Sequence, residues 1–411
     1  MNKRIILILG AAFFTRMAAI FLLGRHVNPE LWEYNQIALN MLSGNGYTIK
    51  HLNTIYHSFG YPVYPFFSAG VLFLTKNNYF AIELIQVLLS VVLCYILYRI
   101  ALKIFDENVA LCAAFLTAMH PGLIIYASKI HELTMVALIT ILLVWMLIGM
   151  DQKRISSSLA LGGVIGFGML LRPTFLVFFP VYLFYSSFKL SKPKEYLARA
   201  SIVLLAMVIV ILPWSLRNYN IHKRWILITT NSAEHFWRGN NPIATGTALT
   251  LDNKGIVEAS PAEFSKKLFS MTEMGQYDFF RKEAMNFIKN NPIVFLRNTA
   301  KKFIYFWWFS PQTGLWYPNL WTLIYKIFYI FVFALFILGI YRSYFLSREA
   351  KLFTVTLLLF FVLLALLHSF YYVELRHRWA VEPLMMIFSC SGIVFIYNAI
   401  RNKIKISGMR F

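Results

Sequence analysis

Acidic side chains are scarce in this chain: 18 Asp and Glu stand against 39 Lys and Arg in 411 residues. Cysteine is scarcer still. Cys94, Cys112 and Cys390 all lie inside apolar stretches without metal-ligand spacing, which excludes a disulfide or zinc framework. Charge of either sign is thin along about ten apolar stretches of roughly 17–25 residues, the length that crosses a hydrocarbon core of about 30 Å. A composition of 59% hydrophobic and 17% aromatic residues, with a mean hydropathy of +0.60, excludes one or two ordinary soluble domains. No basic run falls within a nucleic-acid motif, so the formal net charge of +21 reads as membrane topology and attraction to anionic membrane lipids, with no nucleic-acid partner. An internal repeat and a low-complexity linker are also missing.

What remains is an all-α polytopic membrane protein in one 1–411 domain. Spans are expected at about 5–23, 80–98, 109–127, 133–150, 158–171, 173–188, 200–215, 322–341, 352–369 and 379–398. The start, Met1-Asn2-Lys3-Arg4 before Ile5–Leu23, has the charge and apolarity of a signal sequence. Its length, Arg16 and the lack of a clear small-residue cleavage site make it an uncleaved first span instead. Both termini then share one side with Lys3/Arg4, Arg99/Lys103, Lys153/Arg154, Lys189/Lys192/Lys194/Arg199, Arg342/Arg348/Lys351 and Arg401/Lys403/Lys405/Arg410. The positive-inside rule assigns that side to the cytoplasm.

Two long polar segments, 24–79 and 216–320, lie on the opposite side. In the first, Asn28 and Pro29 are expected to start a surface helix whose stripe is Leu31, Tyr34, Ile37/Ala38 and Met41/Leu42, stopped by Gly44-Asn45-Gly46. In the second, Arg224–Thr230 looks strand-like, Gly239-Asn240-Asn241-Pro242 is a turn, and Pro261–Asn290 reads as one or two amphipathic helices, a possible small α/β substructure.

The few acids cluster. Glu30, Glu33, Glu132, Glu374 and Glu382 all fall at span ends on that one side. Glu30 and Glu33 either cap the surface helix or supply a general base at the lipid–water boundary. Glu132 is a second acid of the same site or an interfacial partner of Lys129. Arg376-His377-Arg378 places two arginines in a short loop that should avoid them. Either they pair with Glu374 and Glu382, or they form a fork for an anionic headgroup. Arg172 raises the same question, while Arg16 snorkels or pairs within the bundle. Tyr61 and its neighbours anchor at the interface or stack on a sugar ring. The histidines form no metal-ligand spacing.

The order of motifs resembles a known family. Glu30-Leu-Trp-Glu-Tyr34-Asn-Gln-Ile-Ala38 through Gly44-Asn-Gly-Tyr47, then Tyr61-Pro-Val-Tyr-Pro65, is similar to the first external loop of bacterial GT-C glycosyltransferases related to protein O-mannosyltransferases and lipid A aminoarabinose transferases. The likeness continues through His120-Pro121, Ser128–Glu132, Leu171-Arg172-Pro173, Arg217-Asn218, Gly239-Asn-Asn-Pro242 with Gly246, and Glu374–Arg378 with Glu382-Pro383.

The resemblance implies transfer of sugar from a polyprenyl-phosphate donor to an acceptor glycan, lipid or protein. It places the first-loop acid at Glu30, with Glu33 as rival because the family's usual Asp-Glu pair is absent, and the second-loop acid at Glu132. Donor-phosphate contacts fall on Arg376 and Arg378, with Arg172 and Lys129 beside them, and substrate contacts on Tyr34, Tyr61 and His377. The leaving group is a monophosphate, so arginine alone could neutralise it; a divalent metal ion on Glu30 and Glu132 is the alternative. A flippase or transporter of lipid-linked sugar, or an O-antigen polymerase or ligase, is the rival reading.

Overall fold

The structure, a computed structural model, describes residues 3–315 and 317–406, with side chains through residue 402. Only a helix satisfies every backbone polar group within a single segment in lipid, so each apolar run becomes one. In chain order the helices are α1 (Lys3–Leu22), α2 (Glu33–Leu42), α3 (Val63–Leu74), α4 (Tyr79–Ile104), α5 (Glu107–Ala118), α6 (Pro121–Ala127), α7 (Leu133–Gly149), α8 (Ile155–Leu171) and α9 (Phe178–Ser187), the last continuing a 3-10 turn over Pro173–Val177. Then come α10 (Pro193–His222), α11 (Asn231–Arg238), α12 (Ala262–Phe269), α13 (Glu273–Asn290), α14 (Pro292–Trp307), α15 (Asn319–Leu346), α16 (Arg348–Ser369), α17 (Leu375–Trp379) and α18 (Glu382–Ile406). A hairpin of β1 (Ile49–His51) and β2 (Thr54–Tyr56) lies between α2 and α3.

Six of these helices, α1, α4, α10, α15, α16 and α18, are long and apolar enough to cross a membrane, and α5 with α6 makes a seventh span bent by 52°. The shorter apolar helices α7, α8 and α9 with its leading turn fall at three further expected spans, and α3 is a fourth short apolar helix. The bend explains Arg16. His120-Pro121 ends α5 and frees the carbonyls of Ala118 and Thr117, which accept from the Arg16 guanidinium at 2.7 and 3.2 Å, while its Nε donates to Ser90 Oγ at 2.7 Å. Arg16 therefore pairs inside the bundle, a cation at a helix C-terminus.

The polar segments depart from expectation in two places. The surface helix begins at Glu33, not at Pro29. Residues 28–32 are held out of it because Glu30 O accepts from Ile130 N and the Glu30 carboxylate is drawn to Lys129. Arg224–Thr230 forms no strand. The carbonyls of Ile226, Leu227 and Ile228 are satisfied instead by Asn218, Ser215 and Trp214 side chains of α10. Among the described residues, 216–320 holds no sheet, only an isolated bridge between Leu249 and Gly255. Pro261–Asn290 does form two helices, α12 and α13. Of the basic residues expected on the terminal side, Arg410 lies outside the described residues.

The close pairing of α15 with α18 depends on two glycines, Gly339 and Gly392, whose added Cβ atoms would each meet the backbone of the other helix. A Cβ at Gly339 would sit 1.7 Å from Phe388 O, so any side chain forces the helices apart. Gly339→Leu is expected to lower stability by about 1–3 kcal/mol through overpacking. Thermal unfolding in detergent reads this directly, and an unchanged midpoint would show that the helices separate freely.

Candidate functional site

Segments 24–78, 128–132, 172–173 and 370–381 meet on one face of the bundle. Glu30 is the hinge between them. Its Oε2 lies 2.5 Å from an Arg25 amine and its Oε1 2.7 Å from Lys129 Nζ, with 30% of the side chain exposed. Lys129 is framed by Tyr126 and Tyr317, each ring centroid 5.2 Å away. Three residues on, Glu33 is half-buried at the first position of α2 and touches no cation. Desolvation pushes its pKa up, an effect moderated by the charges of Arg376 and Arg238.

Glu132 lies deeper. It is fully buried, and its Oε1 accepts from Arg172 Nε at 2.9 Å and a terminal amine at 2.5 Å. Its Oε2 is buried without a hydrogen-bond partner. The hydroxyls of Tyr34 and Tyr61 are held protonated by burial and then by the field of Glu132. Between the Glu30 and Glu132 sides stands His131, packed edge-on by Trp32, Tyr34 and Tyr126 at 5.0, 5.8 and 4.9 Å. Burial drives its pKa far down, so the ring is neutral. The paired reading of Glu132 is thus correct in kind but not in partner: Arg172 holds it, and Lys129 holds Glu30.

The arginine fork expected at Arg376 and Arg378 is not formed. Arg378 is 1% exposed. Its Nε donates to Glu382 Oε1 at 2.7 Å, its terminal amines to Phe306 O at 2.8 Å, Trp308 O at 3.3 Å and Tyr325 OH at 2.9 Å, and its plane lies 3.6 Å from the Tyr329 ring centroid. Glu382 is completed by His120 and Tyr325, both at 2.6 Å. These partners enclose the guanidinium, and the pairing with Glu382 is one of the two readings that the sequence offered. Two residues earlier the chain turns Arg376 the other way, over Trp32 at 4.9 Å and against Glu374 at 2.7 Å, with 19% of its side chain exposed. His377 caps α17 through Glu374 N and stacks on His368 at 4.4 Å. It lines a cavity of about 20 Å³ with Arg172 and His368, room for about one water.

A much larger space opens toward lipid. A groove of about 830 Å³ runs between α3, α4, α7, α8 and α10, lined almost wholly by apolar side chains such as Phe66, Phe67, Met135, Leu138, Phe167 and Trp214. Its upper end is near the site, since Pro62 follows Tyr61 and Met135 lies one turn below Glu132. The one charged lining residue is Arg217. Its guanidinium lies 4.4 Å from the Trp214 ring centroid and 5.2 Å from that of Tyr47, and donates only to neutral oxygens of Asn218, Ser58 and Tyr47 at 3.0–3.4 Å. The sequence marked Arg217 only within the resemblance; the signal available was an arginine ending the long apolar run of α10. Arg238, which pairs with Glu234 at 2.5 Å, was likewise unmarked. Its loop reaches the site because Gly239 lies against Tyr371 O, which would be 1.6 Å from a Cβ, and Lys302 Nζ donates to Gly239 O, Asn240 Oδ1 and Tyr371 O.

The residues do not fit a metal as they stand. Among the described residues no three His, Cys, Asp or Glu side chains gather, and Glu30 and Glu132 are each already held by cationic side chains.

Residues 57–214 match the family model described as dolichyl-phosphate-mannose-protein mannosyltransferase. No curated protein matches the chain. Among solved structures, the archaeal oligosaccharyltransferase AglB from Archaeoglobus fulgidus, in complex with an inhibitory peptide and a dolichol-phosphate, is similar over 100% of this chain and 52% of its own, with 12% identity and a TM-score of 0.54. The Archaeoglobus fulgidus oligosaccharyltransferase complexed with Zn and sulfate is similar over 97% and 50%, with 13% identity and a TM-score of 0.54. ArnT from Cupriavidus metallidurans, bound to undecaprenyl phosphate, covers 89% of this chain and 77% of its own, with 12% identity and a TM-score of 0.46. The chain thus spans about half the length of the oligosaccharyltransferases it matches, and the likeness shows the fold alone, an all-helical membrane architecture.

Because Arg378 neutralises a buried carboxylate, Arg378→Met should act on stability first. Removing one member of such a pair costs roughly 3–5 kcal/mol. A thermal midpoint equal to that of the wild type, with activity lost, would return Arg378 to the chemistry.

Proposed function

We propose that this chain is a membrane glycosyltransferase that moves a sugar from a polyprenyl-phosphate donor to an acceptor hydroxyl, with its site on the non-cytoplasmic side. The observation that carries the reading is the apolar groove headed by Arg217 beside a pocket of carboxylates. An arginine at the polar end of a lipid-facing groove, with only neutral acceptors around it, is matched to a lipid whose head is a phosphate. The family model over 57–214 and the dolichol-phosphate bound by a protein of this fold support the same donor class.

In the reaction the acceptor oxygen forms the new bond to the anomeric carbon as the bond from that carbon to the phosphate oxygen breaks. The electron pair leaves on the phosphate, where Arg217 stabilises the added charge. The acceptor proton passes to Glu30, the general base at the mouth. Lys129 keeps Oε1 oriented, as the third group orients the base in other nucleophilic sites. Glu33, with its raised pKa, hydrogen-bonds the sugar together with Tyr34 and Tyr61. Arg376 and Arg238 stabilise negative charge at the outer rim, and Glu132 with Arg172 holds the floor. The transferred unit is a hexose or a pentose.

Glu30→Gln should lower the transfer rate on the order of 10²–10⁴-fold with the protein still folded, and Glu33→Gln should be milder. The reverse order would make Glu33 the base. Arg217→Ala should cost roughly 10²–10³ in rate, with Arg217→Lys a poor rescue because a point charge does not reproduce the planar fork. Sugar transfer in nanodiscs measures both, and full activity of the Arg217 variants would detach the groove from the donor.

The side is tested separately. Asn53 and Asn253 are exposed, and a cysteine at either should react with an impermeant thiol reagent in intact cells. Labelling only after membrane disruption would place the site in the cytoplasm.

A further inference from the structure

Glu30 as it stands is a blocked base, because the oxygen that would take the proton, Oε2, is 2.5 Å from Arg25. The structure offers Arg25 a second place to go. Glu83, in the second turn of α4, is 0% exposed, and both of its carboxylate oxygens are buried without a hydrogen-bond partner. Arg25 Nε is buried and unpartnered as well. A buried unpaired carboxylate is costly, of the order of several kcal/mol, so a lone one on an apolar span calls for a use.

The two orphans are neighbours. Phe21 of α1 packs on Phe80 of α4 at 6.0 Å between ring centroids. α1 and α4 run antiparallel, with Arg16 Nε on Ser90 Oγ at 2.7 Å and Ile20 clustered with Val87, so the chain just after α1, at Arg25, comes level with Glu83 in the second turn of α4. The charge whose field acts on Glu83 is that of Arg25. That cation also argues against a metal ion at Glu83.

We propose that Glu83 is a positioning residue, the alternate counter-ion that receives Arg25 and so releases Glu30 Oε2 for the acceptor hydroxyl. This rests on Glu30 being the base. With Arg25 on Glu30 the site holds its base in an ion pair and discourages loss of the activated sugar to water. When the acceptor hydroxyl enters, it replaces Arg25 at Oε2, Arg25 swings to Glu83, and Lys129 stays on Oε1. Two arrangements of one arginine then give a closed and an open base, and the buried carboxylate gains a partner in the open one.

The experiment is a double-substitution cycle at residues 25 and 83, read as transfer of labelled sugar from a polyprenyl-phosphate sugar into native membrane lipid extract in nanodiscs. Glu83→Gln leaves Arg25 no other home, so kcat should fall on the order of 10–100-fold while the KM for the donor stays near the wild-type value. Adding Arg25→Gln removes the block and should recover kcat relative to Glu83→Gln alone, an interaction that a purely structural Glu83 does not produce. If Glu83→Gln does not accumulate folded, Glu83→Asp takes its place with a smaller fall and the same recovery. Wild-type kcat in the Glu83 variants, or a double variant no faster than the single, overturns the proposal. Full activity of Glu30→Gln would instead overturn the reading of the base itself, so the two failures are distinct.

Discussion

In hydrocarbon a charge must find its opposite or a ring of dipoles, and this constraint sorts every ionisable group in the structure. Arg16 takes the carbonyls left by the bend between α5 and α6. Arg378 takes Glu382, and Glu382 takes His120 and Tyr325. Those side chains are spent on holding α6, α15, α17 and α18 together. What is left incompletely matched stands near one end of the bundle: Glu33, one oxygen of Glu132, Arg217, and the pair Arg25 and Glu83. The proposed base, Glu30, stands among them, held at rest by Arg25 and Lys129.

The same constraint explains the shape of the site. Because α17 is pinned by Arg378 from below, Arg376 faces the rim and lies over Trp32. Because Arg172 is pinned to Glu132, the tops of α7 and α8 are joined at the point where the apolar groove begins. The apolar groove thus ends at the underside of a polar pocket. A donor with a hydrocarbon tail and an ionised head needs that arrangement, and a soluble sugar nucleotide does not.

Much of the fold was legible in the sequence, since a missing charge over some twenty residues has few meanings. The apolar helices of the bundle and the two helices of 261–290 follow from it. The site was legible as a set of acids but not as pairs. Arg376 and Arg378 look equivalent in sequence, two residues apart, and only helix geometry turns one inward and the other to the rim. The strand-like run Arg224–Thr230 misled because its carbonyls are met by side chains of α10, a partner that β-propensity does not see. Glu83 carried a signal, an acid within an apolar span, yet its meaning needs Arg25 beside it.

The central claim is that the groove and Arg217 serve a lipid-phosphate sugar. It is tested most directly by presenting one sugar to the protein in nanodiscs in three forms: on a long polyprenyl phosphate, on a short water-soluble isoprenyl phosphate, and on a nucleotide. Efficient transfer is predicted from the long lipid, much weaker transfer from the short one as the groove loses its apolar contacts, and none from the nucleotide. Equal turnover of the nucleotide sugar, or indifference to chain length, would contradict it.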